Sequence, residues 1–494
     1  MPFRHISYFY KTRGVGGQAL CHPDAGSNDI KMKIDYDVNP GSLQTALKDF
    51  WDLAYAKTKL LDREYDPSRG SPVFTVDGKY TTRGWTEWTQ GFQFGIPLLV
   101  FRATGEKEML GIGRKGTFEK MADHLTHFGV HDHGFNNLST YGNLLQAAAE
   151  GLYEASPEEM DYYRLAIRVS GAVQARRWTR TGDGGFIYSF NGPHSLFIDT
   201  LRTCRVLLAA HRLGHRMLEE NDNAADLQER AIMHALTTAG YAVYYGTGRD
   251  SYDVRGRVAH ESIFNTVDGS YRCPGSQQGY SGFSTWTRGL AWAMLGFGEM
   301  MEYLESGGDA TDQGADISAA KKIFLKAARA TCDFYLENCA SDGIPYWDTG
   351  APSLQRLGHY RDRPADPFND HEPVDSSAAA IGAQGLLRLG RYVGKTDPEA
   401  GDKYFRAGLT ILRTLLSAPY LSTGPGHQGI LLHSVYHRPN GWDHIPPGRK
   451  VPCGESGMWG DYHMAELCYL TTRISQAGYY TFFDHMGGNG NNIS

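Results

Sequence analysis

The chain has 494 residues, of which 41% are hydrophobic and 21% are charged, so it can bury a large core and is not a disordered polypeptide. Its formal net charge of −6 lacks the basic excess of nucleic-acid-binding proteins, and no apolar run approaches the length of a membrane span. We therefore expect neither a nucleic-acid partner nor a membrane partner.

The seven cysteines are scattered along the chain, and no two of them form a CxxC pair. An odd number of thiols in a long chain is typical of reduced, buried cysteines rather than of a disulfide framework. The first residues contain no apolar signal-peptide core, which favours a cytoplasmic location and leaves a periplasmic one open.

Apolar residues recur at helical spacing along most of the chain, beginning with Leu43, Leu47 and Phe50. Strand-like alternation is short and scarce, which disfavours a parallel βαβ sheet. The pattern predicts about twelve helices, near residues 42–61, 88–105, 115–128, 140–152, 158–177, 194–213, 224–244, 284–305, 317–338, 375–393, 402–416 and 460–477. Six helical hairpins in one ring account for this number, so we predict an all-α fold.

The same pattern sets the expected domain boundaries. We predict a single ring-shaped domain over residues 41–480, an N-terminal extension over residues 1–40 and a flexible C-terminal tail over residues 481–494. Several breaks between the predicted helices are rich in aromatic and acidic residues, which is typical of a sugar-binding cleft. The alternative is that a large helical protein simply carries many core aromatics.

Two local patterns suggest ligand sites that we do not favour. The glycines of Gly111–Gly116 match the GxGxxG pattern of dinucleotide sites, but they follow a predicted helix instead of a strand, which indicates a helix C-cap and turn. A histidine cluster has helical spacing suited to a metal, but no Cys or Glu ligand is suitably placed nearby; it comprises His124, His127, His131 and His133. We therefore expect no metal and no cofactor.

Two acids are candidates for chemistry. Asp132 lies in a predicted loop just after a helix, and Asp199 lies near the start of an otherwise apolar predicted helix. A carboxyl group buried on such a helix has a raised pKa, as a general acid requires at neutral pH. The alternative for either acid is a helix cap or a salt bridge. Neither a GxSxG elbow nor a recognisable cysteine nucleophile is present, so acyl transfer is unsupported.

Several motifs occur in the order found in a known family. They are Trp88-Thr-Gln-Gly-Phe92, His131-Asp-His-Gly-Phe135, Gln278-Gly-Tyr-Ser281, Trp286-Thr-Arg-Gly-Leu-Ala-Trp292, Asp342-Gly-Ile-Pro-Tyr-Trp-Asp348, Asp375-Ser-Ser-Ala-Ala and Trp459-Gly-Asp-Tyr462. Together they span most of residues 85–477. On these motifs the chain resembles the unsaturated glucuronyl hydrolases of glycoside hydrolase family 88, with the unsaturated rhamnogalacturonyl hydrolases of family 105 as more distant relatives.

The resemblance implies an (α/α)6 barrel and a hydrolase that releases a terminal 4,5-unsaturated uronic acid from lyase-generated oligosaccharides. The reaction begins with hydration of the C4=C5 double bond, for which Asp199 is the implied proton donor. Asp132 is the implied partner that holds the substrate and tunes Asp199. The implied substrate-binding residues are His260, Gln278, Arg288, Trp88, Trp292 and Arg438. Among them Arg288 is a natural partner for a substrate carboxylate, and Trp88 and Trp292 would stack on the sugar. We expect a monomer or a homodimer that needs no cofactor.

The chain departs from the family pattern beside the predicted pocket. Gln277 replaces a histidine and Gly282 replaces an acid of the usual HQGYSD segment. A histidine-to-glutamine change removes a group that titrates near neutrality. A different glycoside, even a saturated one, therefore stays open as substrate. A sugar epimerase on the same toroid and a sugar-binding protein without catalysis are further alternatives.

Overall fold

The computed structural model describes residues 30–83, 87–182, 184–307 and 316–487. Within these ranges helices dominate, and a π-helical turn over Leu138–Gly142 joins the fifth helix to the sixth. In chain order the helices are α1 (Gln44–Glu64), α2 (Gln90–Thr104), α3 (Lys107–Lys120), α4 (Ala122–Leu125), α5 (His133–Asn137), α6 (Asn143–Ala149), α7 (Pro157–Ala175), α8 (Thr200–Thr203), α9 (Arg205–Arg212), α10 (Leu227–Tyr241), α11 (Thr287–Glu305), α12 (Ile317–Asn338), α13 (Ser376–Val393), α14 (Pro398–Leu415) and α15 (Met458–Ser475).

Six helical segments form an inner ring: α2, α5–α6, α8–α9, α11, α13 and α15. Each contacts the next along the chain, and α15 contacts α2, which closes the ring. The outer layer consists of α1, α3, α7, α10, α12 and α14, packed against the inner helices. Nearly every residue of α11 and α13 is buried, whereas outer helices such as α12 bury one face. The predicted all-α fold is confirmed as an (α/α)6 barrel.

The strands are short and lie in the connections. The structure describes β1 (Phe74–Val76), β2 (Lys79–Thr81), β3 (Trp178–Thr181), β4 (Gly184–Ile187), β5 (Ser195–Phe197), β6 (Met217–Leu218), β7 (Ala224–Ala225), β8 (Glu261–Phe264) and β9 (Tyr271–Gly275). The strands β5, β8 and β9 form one antiparallel sheet in which Phe197 pairs with Glu261. This sheet brings Asp199, two residues after β5, near His260, the residue before β8.

The GxGxxG segment lies inside helix α3, so the predicted helix C-cap and turn are wrong. A Cβ atom at Gly113 would lie 2.6 Å from the Leu98 side chain, and one at Gly116 would lie 2.1 Å from the Phe94 ring. These glycines let the outer helix α3 approach the inner helix α2 closely, so their role is packing. The helix consequently begins eight residues before the predicted start at residue 115.

Both ends of the described chain pack against the barrel. The backbone amide of Met32 donates to Leu336 O, and Met32 is buried. Phe482 and Phe483 are buried, and the Gln146 side chain donates to Thr481 O. The packed region thus includes residues 481–487, which we predicted to belong to a flexible tail; residues 1–29 and 488–494 lie outside the described part. None of the described helices is both long enough and apolar enough to cross a membrane.

Two glycines, one at a close contact between inner helices and one facing open space, predict opposite effects of a change to alanine on stability. A Cβ atom at Gly91 on α2 would lie 2.4 Å from the backbone of Asn136 on α5, so Gly91→Ala forces the helices apart. We expect a loss of about 1–3 kcal/mol in the free energy of unfolding. Gly111→Ala on α3 meets open space and should stabilise the protein by about 0.5–1 kcal/mol. Urea unfolding of both variants tests this; equal effects would contradict the close-packing explanation.

Candidate active site

The two candidate carboxylates stand at the starts of two neighbouring inner helices. Asp132 occupies the N-cap position of α5, and Asp199 occupies that of α8. The side chain of neither acid makes a capping hydrogen bond, although both residues are only 8% exposed. The segment around Asp132 is therefore a helix start rather than the predicted loop. The helix-cap alternative does not explain the burial of either carboxylate.

His131 lies between the two carboxylates. Its Nε2 atom is 3.3 Å from Asp199 Oδ1 and 3.8 Å from Asp132 Oδ1. The imidazole is buried, with Phe190 stacked on it and Phe197 meeting it edge-on. One imidazole thus links both acids in a compact, water-poor cluster.

The three groups shift one another's protonation. Burial alone would lower the pKa of His131, but the charges of Asp132 and Asp199 outweigh burial, so this pKa is raised. Burial alone would raise the pKa of Asp199, but the hydrogen bond with His131, the charges of His131 and His260 and the Thr200 amide together outweigh burial, so this pKa is lowered. Burial raises the pKa of Asp132, and the nearby Asp199 charge adds to the rise.

This distribution of protons differs from the sequence-based expectation. We expected burial to leave Asp199 with a raised pKa, whereas the pKa of Asp199 is lowered and that of its neighbour His131 is raised. The sequence analysis placed His131 only in a histidine cluster and in the family motif. Its adjacency to Asp132 in the chain was the available signal for a role in the site.

His260 stands beside Asp199 because the amide of Ile198 donates to the carbonyl of His260. Its Nδ1 atom accepts from the Gln277 amide at 2.9 Å, and burial lowers the pKa of His260 to about 4. The imidazole is therefore neutral near pH 7 and carries its hydrogen on Nε2. This Nε2 atom is buried and has no hydrogen-bond partner among the described residues. It is a donor available to a ligand.

Arg288 is occupied by protein oxygens. Its Nη1 atom lies 3.2 Å from Asp375 Oδ2, and its Nη2 atom donates to Tyr436 O and to Gln278 Oε1, each at 2.9 Å. The guanidinium is also sandwiched between Trp286 and Trp459. Both terminal nitrogens are thus committed to protein groups. These contacts give no support to the expected role of Arg288 as a partner for a substrate carboxylate.

The remaining predicted residues differ in accessibility. Trp88 is half-buried, and its ring stacks on Trp459 with centroids 5.4 Å apart. Trp292 is 2% exposed and packs against Phe135, so its burial gives no support to a sugar-stacking role. Arg438 is half-buried, and its Nε atom has no partner in the described part of the chain.

The two departures from the family motif have local explanations. Gln277 serves the site through its backbone amide, which bonds to His260. At Gly282 a Cβ atom would lie 2.7 Å from Pro274 O, so an acidic side chain there requires the strand β9 segment to move.

The histidine cluster is divided among protein partners: His124 bonds to Gln90, and His133 bonds to Ser170.

The contacts of Arg288 predict a stability effect. Arg288→Met leaves Asp375 buried without its cation, so we expect a loss of about 3–5 kcal/mol in the free energy of unfolding. Arg63→Met, which removes a surface pair with Glu64, should change it by less than about 0.5 kcal/mol. Denaturant titration measures both. A stable Arg288→Met protein that has lost only substrate affinity would restore the carboxylate-anchor role.

The opposite pKa shifts of His131 and Asp199 predict a coupled titration. Because the folded-state pKa of His131 lies above its ordinary value of 6.5, its contribution to stability is complete below that pH and is lost as pH rises through the folded pKa. Asp199→Asn removes the hydrogen bond and the charge, so the pKa of His131 should fall. Nitrogen-15 NMR of histidine-labelled protein measures it, with Asp316→Asn at a distant helix cap as control. An unchanged His131 pKa would argue against the cluster.

Comparison with known proteins places this geometry in a family. The chain is 28% identical over 398 residues to an unsaturated glucuronyl hydrolase of Bacillus sp. strain GL1, covering 78% of this chain and 87% of that protein. It is 24% identical to an unsaturated chondroitin disaccharide hydrolase of Streptococcus agalactiae serotype III strain NEM316, covering 79% and 83%. A crystal structure of an unsaturated glucuronyl hydrolase specific for heparin aligns with a TM-score of 0.65 at 23% identity, covering 86% and 96%.

The family model described as Glycosyl Hydrolase Family 88 matches residues 73–322, just over half of the chain. This span contains the cluster of His131, Asp132 and Asp199 together with His260 and Arg288. The chain belongs to Glycosyl Hydrolase Family 88.

Proposed function

We propose that this enzyme releases a terminal 4,5-unsaturated uronic acid from short oligosaccharides. The observation that carries the proposal is the buried cluster in which His131 links Asp132 and Asp199. The curated relatives support it, since they include unsaturated glucuronyl hydrolases and unsaturated chondroitin disaccharide hydrolases. A uronate substrate also fits a site at helix N-termini, whose positive dipole ends favour an anion.

The proposed reaction adds water across the C4=C5 double bond. Asp199 gives a proton to C4, and a water molecule attacks C5 while its released proton returns to Asp199. The product is a hemiketal that opens to a C5 ketone, and the hemiacetal left at C1 then expels the neighbouring sugar. The net change is the consumption of one water molecule, so no cofactor is required.

The first proton has a defined source in this proposal. The pKa of Asp199 is lowered and that of His131, whose Nε2 atom lies 3.3 Å away, is raised, so we place the proton of the free site on His131. Binding of an anionic substrate displaces water and raises the cost of a second buried carboxylate, which favours transfer of the proton from His131 to Asp199. Asp132, whose pKa is raised, remains the hydrogen-bonding partner of the sugar.

The binding groups follow from accessibility. We propose that His260 Nε2 and Gln278 donate to substrate oxygens, Trp88 stacks on the sugar ring, and Arg438 meets an anionic group on the neighbouring sugar. Arg288 positions Gln278 in this scheme. The catalytic domain over residues 41–480, a cytoplasmic location and a monomeric or homodimeric state remain predictions from the sequence.

Asp199→Asn tests the proposed donor. An amide cannot supply the proton, so we expect kcat to fall by at least about 10²–10⁴-fold, with folding and ligand affinity retained. The assay follows the loss of ultraviolet absorbance of the conjugated uronate, using lyase-digested chondroitin, hyaluronan, heparin, ulvan, gellan and pectin. Asp316→Asn, at an exposed helix cap where asparagine serves as well, is the matched control.

The outcomes separate the alternatives. Absorbance loss with the wild type and none with Asp199→Asn supports hydration and identifies the substrate class. Retained turnover in Asp199→Asn would falsify the donor assignment. Activity only on saturated glycosides would give weight to the Gln277 and Gly282 departures. Epimerisation is the second candidate, because His131 and His260 both flank Asp199; it would appear as isomerised sugar without loss of absorbance.

A further inference from the structure

A group of metal-ligating side chains lies outside the proposed catalytic cluster, where the β1–β2 turn meets the segment that precedes helix α15. In the described part of the chain, one ligand atom each from Asp77, His444 and Glu455 lies within 4.8 Å of the other two. Asp77 is largely exposed, His444 is half-buried and Glu455 is buried. The three residues come from three separate segments, so a common ligand would join them.

The distance between His444 and Asp77 suits a shared cation. His444 Nε2 lies 3.2 Å from Asp77 Oδ1. In a tetrahedral zinc site with metal–ligand distances of about 2.0–2.2 Å, two ligand atoms are about 3.3–3.6 Å apart. The histidine–carboxylate pair therefore already spans one edge of such a tetrahedron.

The hydrogen bonding supplies an independent observation. Although His444 Nε2 is shielded from solvent and close to Asp77, it has no hydrogen-bond partner among the described residues. A buried nitrogen that approaches a carboxylate without aligning to donate to it suits an atom placed between the two groups. Leaving such a polar atom unsatisfied destabilises the folded protein.

Glu455 is held in place before any cation arrives. Its Oε2 atom accepts hydrogen bonds from Thr75 Oγ1 and from the Gly78 amide. His427 Nε2 lies 3.7 Å from the same oxygen. Since His427 Nδ1 accepts from the Gly429 amide, its Nε2 carries the hydrogen in the neutral ring, and this atom makes no hydrogen bond with a described residue.

The β1–β2 turn presents Asp77 in a specific conformation. Asp77 and Gly78 both have positive φ angles, +48° and +73°. Asparagine and glycine fit such a two-residue hairpin turn at least as well as aspartate. The turn geometry alone therefore does not require a carboxylate at position 77.

We propose that Asp77, His444 and Glu455 bind one divalent transition-metal ion of the zinc class. An imidazole with two carboxylates suits zinc, whereas calcium and magnesium prefer all-oxygen sites. Three protein ligands leave the fourth position to water, in keeping with the exposure of Asp77. The neighbour Asp443 accepts hydrogen bonds from the amides of Tyr436 and His437, so the ion stabilises the loop that leads to Arg438.

The test uses the full chain without a histidine tag, made metal-free by dialysis against a chelator. Calorimetric titration with Zn²⁺ gives stoichiometry and affinity, and Co²⁺ absorption in the visible range reports tetrahedral coordination. We expect one ion per chain and a higher Tm at saturating Zn²⁺, because binding to the folded state stabilises it. Neither readout depends on catalytic activity.

Two variants and a control locate the ion. His444→Gln and Asp77→Asn should each weaken Zn²⁺ binding by at least about tenfold and abolish the tetrahedral Co²⁺ spectrum. Asp77→Asn keeps a residue that the turn accepts, so it reports binding even if His444→Gln disturbs folding. His359→Gln removes an exposed histidine near a single carboxylate, Asp362, and should leave binding unchanged.

Two outcomes would overturn the site. One is the absence of a stoichiometric Zn²⁺ or Co²⁺ complex with the wild-type protein. The other is binding that survives both Asp77→Asn and His444→Gln, which would place the ion elsewhere. Because both readouts are independent of turnover, failure here leaves the proposed hydrolase function untouched.

Discussion

The structure depends on a buried set of ion pairs that crosses the axis of the barrel. Arg202 is fully buried and pairs with Glu299 of α11 at 3.0 Å and with Glu466 of α15 at 2.8 Å. Removing one partner from such a pair costs about 3–5 kcal/mol, because the other charge stays buried and unpaired. Arg202 also lies one turn after Asp199, and its amide donates to Asp199 O. The ion pairs of Arg202 therefore hold the start of helix α8 in place, and that helix start carries the proposed proton donor.

Further ion pairs between arginine and glutamate join other helices of the inner ring. These pairs are Arg102 with Glu150, Arg205 with Glu299 and Glu466, and Arg388 with Glu302. Burial raises the pKa of Glu299 to about 7, although the charges of Arg205 and Arg388 lower it. With the helices joined by ion pairs along their lengths, their N-terminal ends can carry the site residues.

The arrangement of the N-termini links fold to chemistry. Asp132, Asp199 and Asp375 occupy the N-cap positions of α5, α8 and α13. Asp375 accepts hydrogen bonds from the first turn of its helix, as an ordinary cap does, and pairs with Arg288. Asp132 and Asp199 make no such caps, and His131 holds them instead. The same position in three helices thus gives one structural acid and two acids available for catalysis.

Much of the fold could be predicted from the sequence, because apolar residues at helical spacing mark the buried face of each helix. The twelve helical segments and the ring follow from that pattern, whereas α3 was misplaced because Gly113 and Gly116 resemble a turn until their close contact with α2 is seen. The proximity of Asp132 and Asp199 was implied by family motifs. The sequence could not show that Arg288 bonds to Asp375 and Tyr436, because those partners are 87 and 148 residues away in the chain.

The protonation of the site was the least predictable feature, because it depends on distances below 4 Å. Burial acts in the same direction on Asp132 and Asp199, and sequence reasoning therefore assigned a raised pKa to Asp199, whereas it is the pKa of Asp132 that is raised. His131 breaks this symmetry by standing nearer to Asp199 than to Asp132. The two carboxyl groups therefore differ because of one imidazole. With His131 nearby, Asp199 has a source for the proton that it gives to C4 in the proposed reaction. Once it has given that proton, the carboxylate can accept the proton that the attacking water releases. One residue can therefore serve both steps of the hydration.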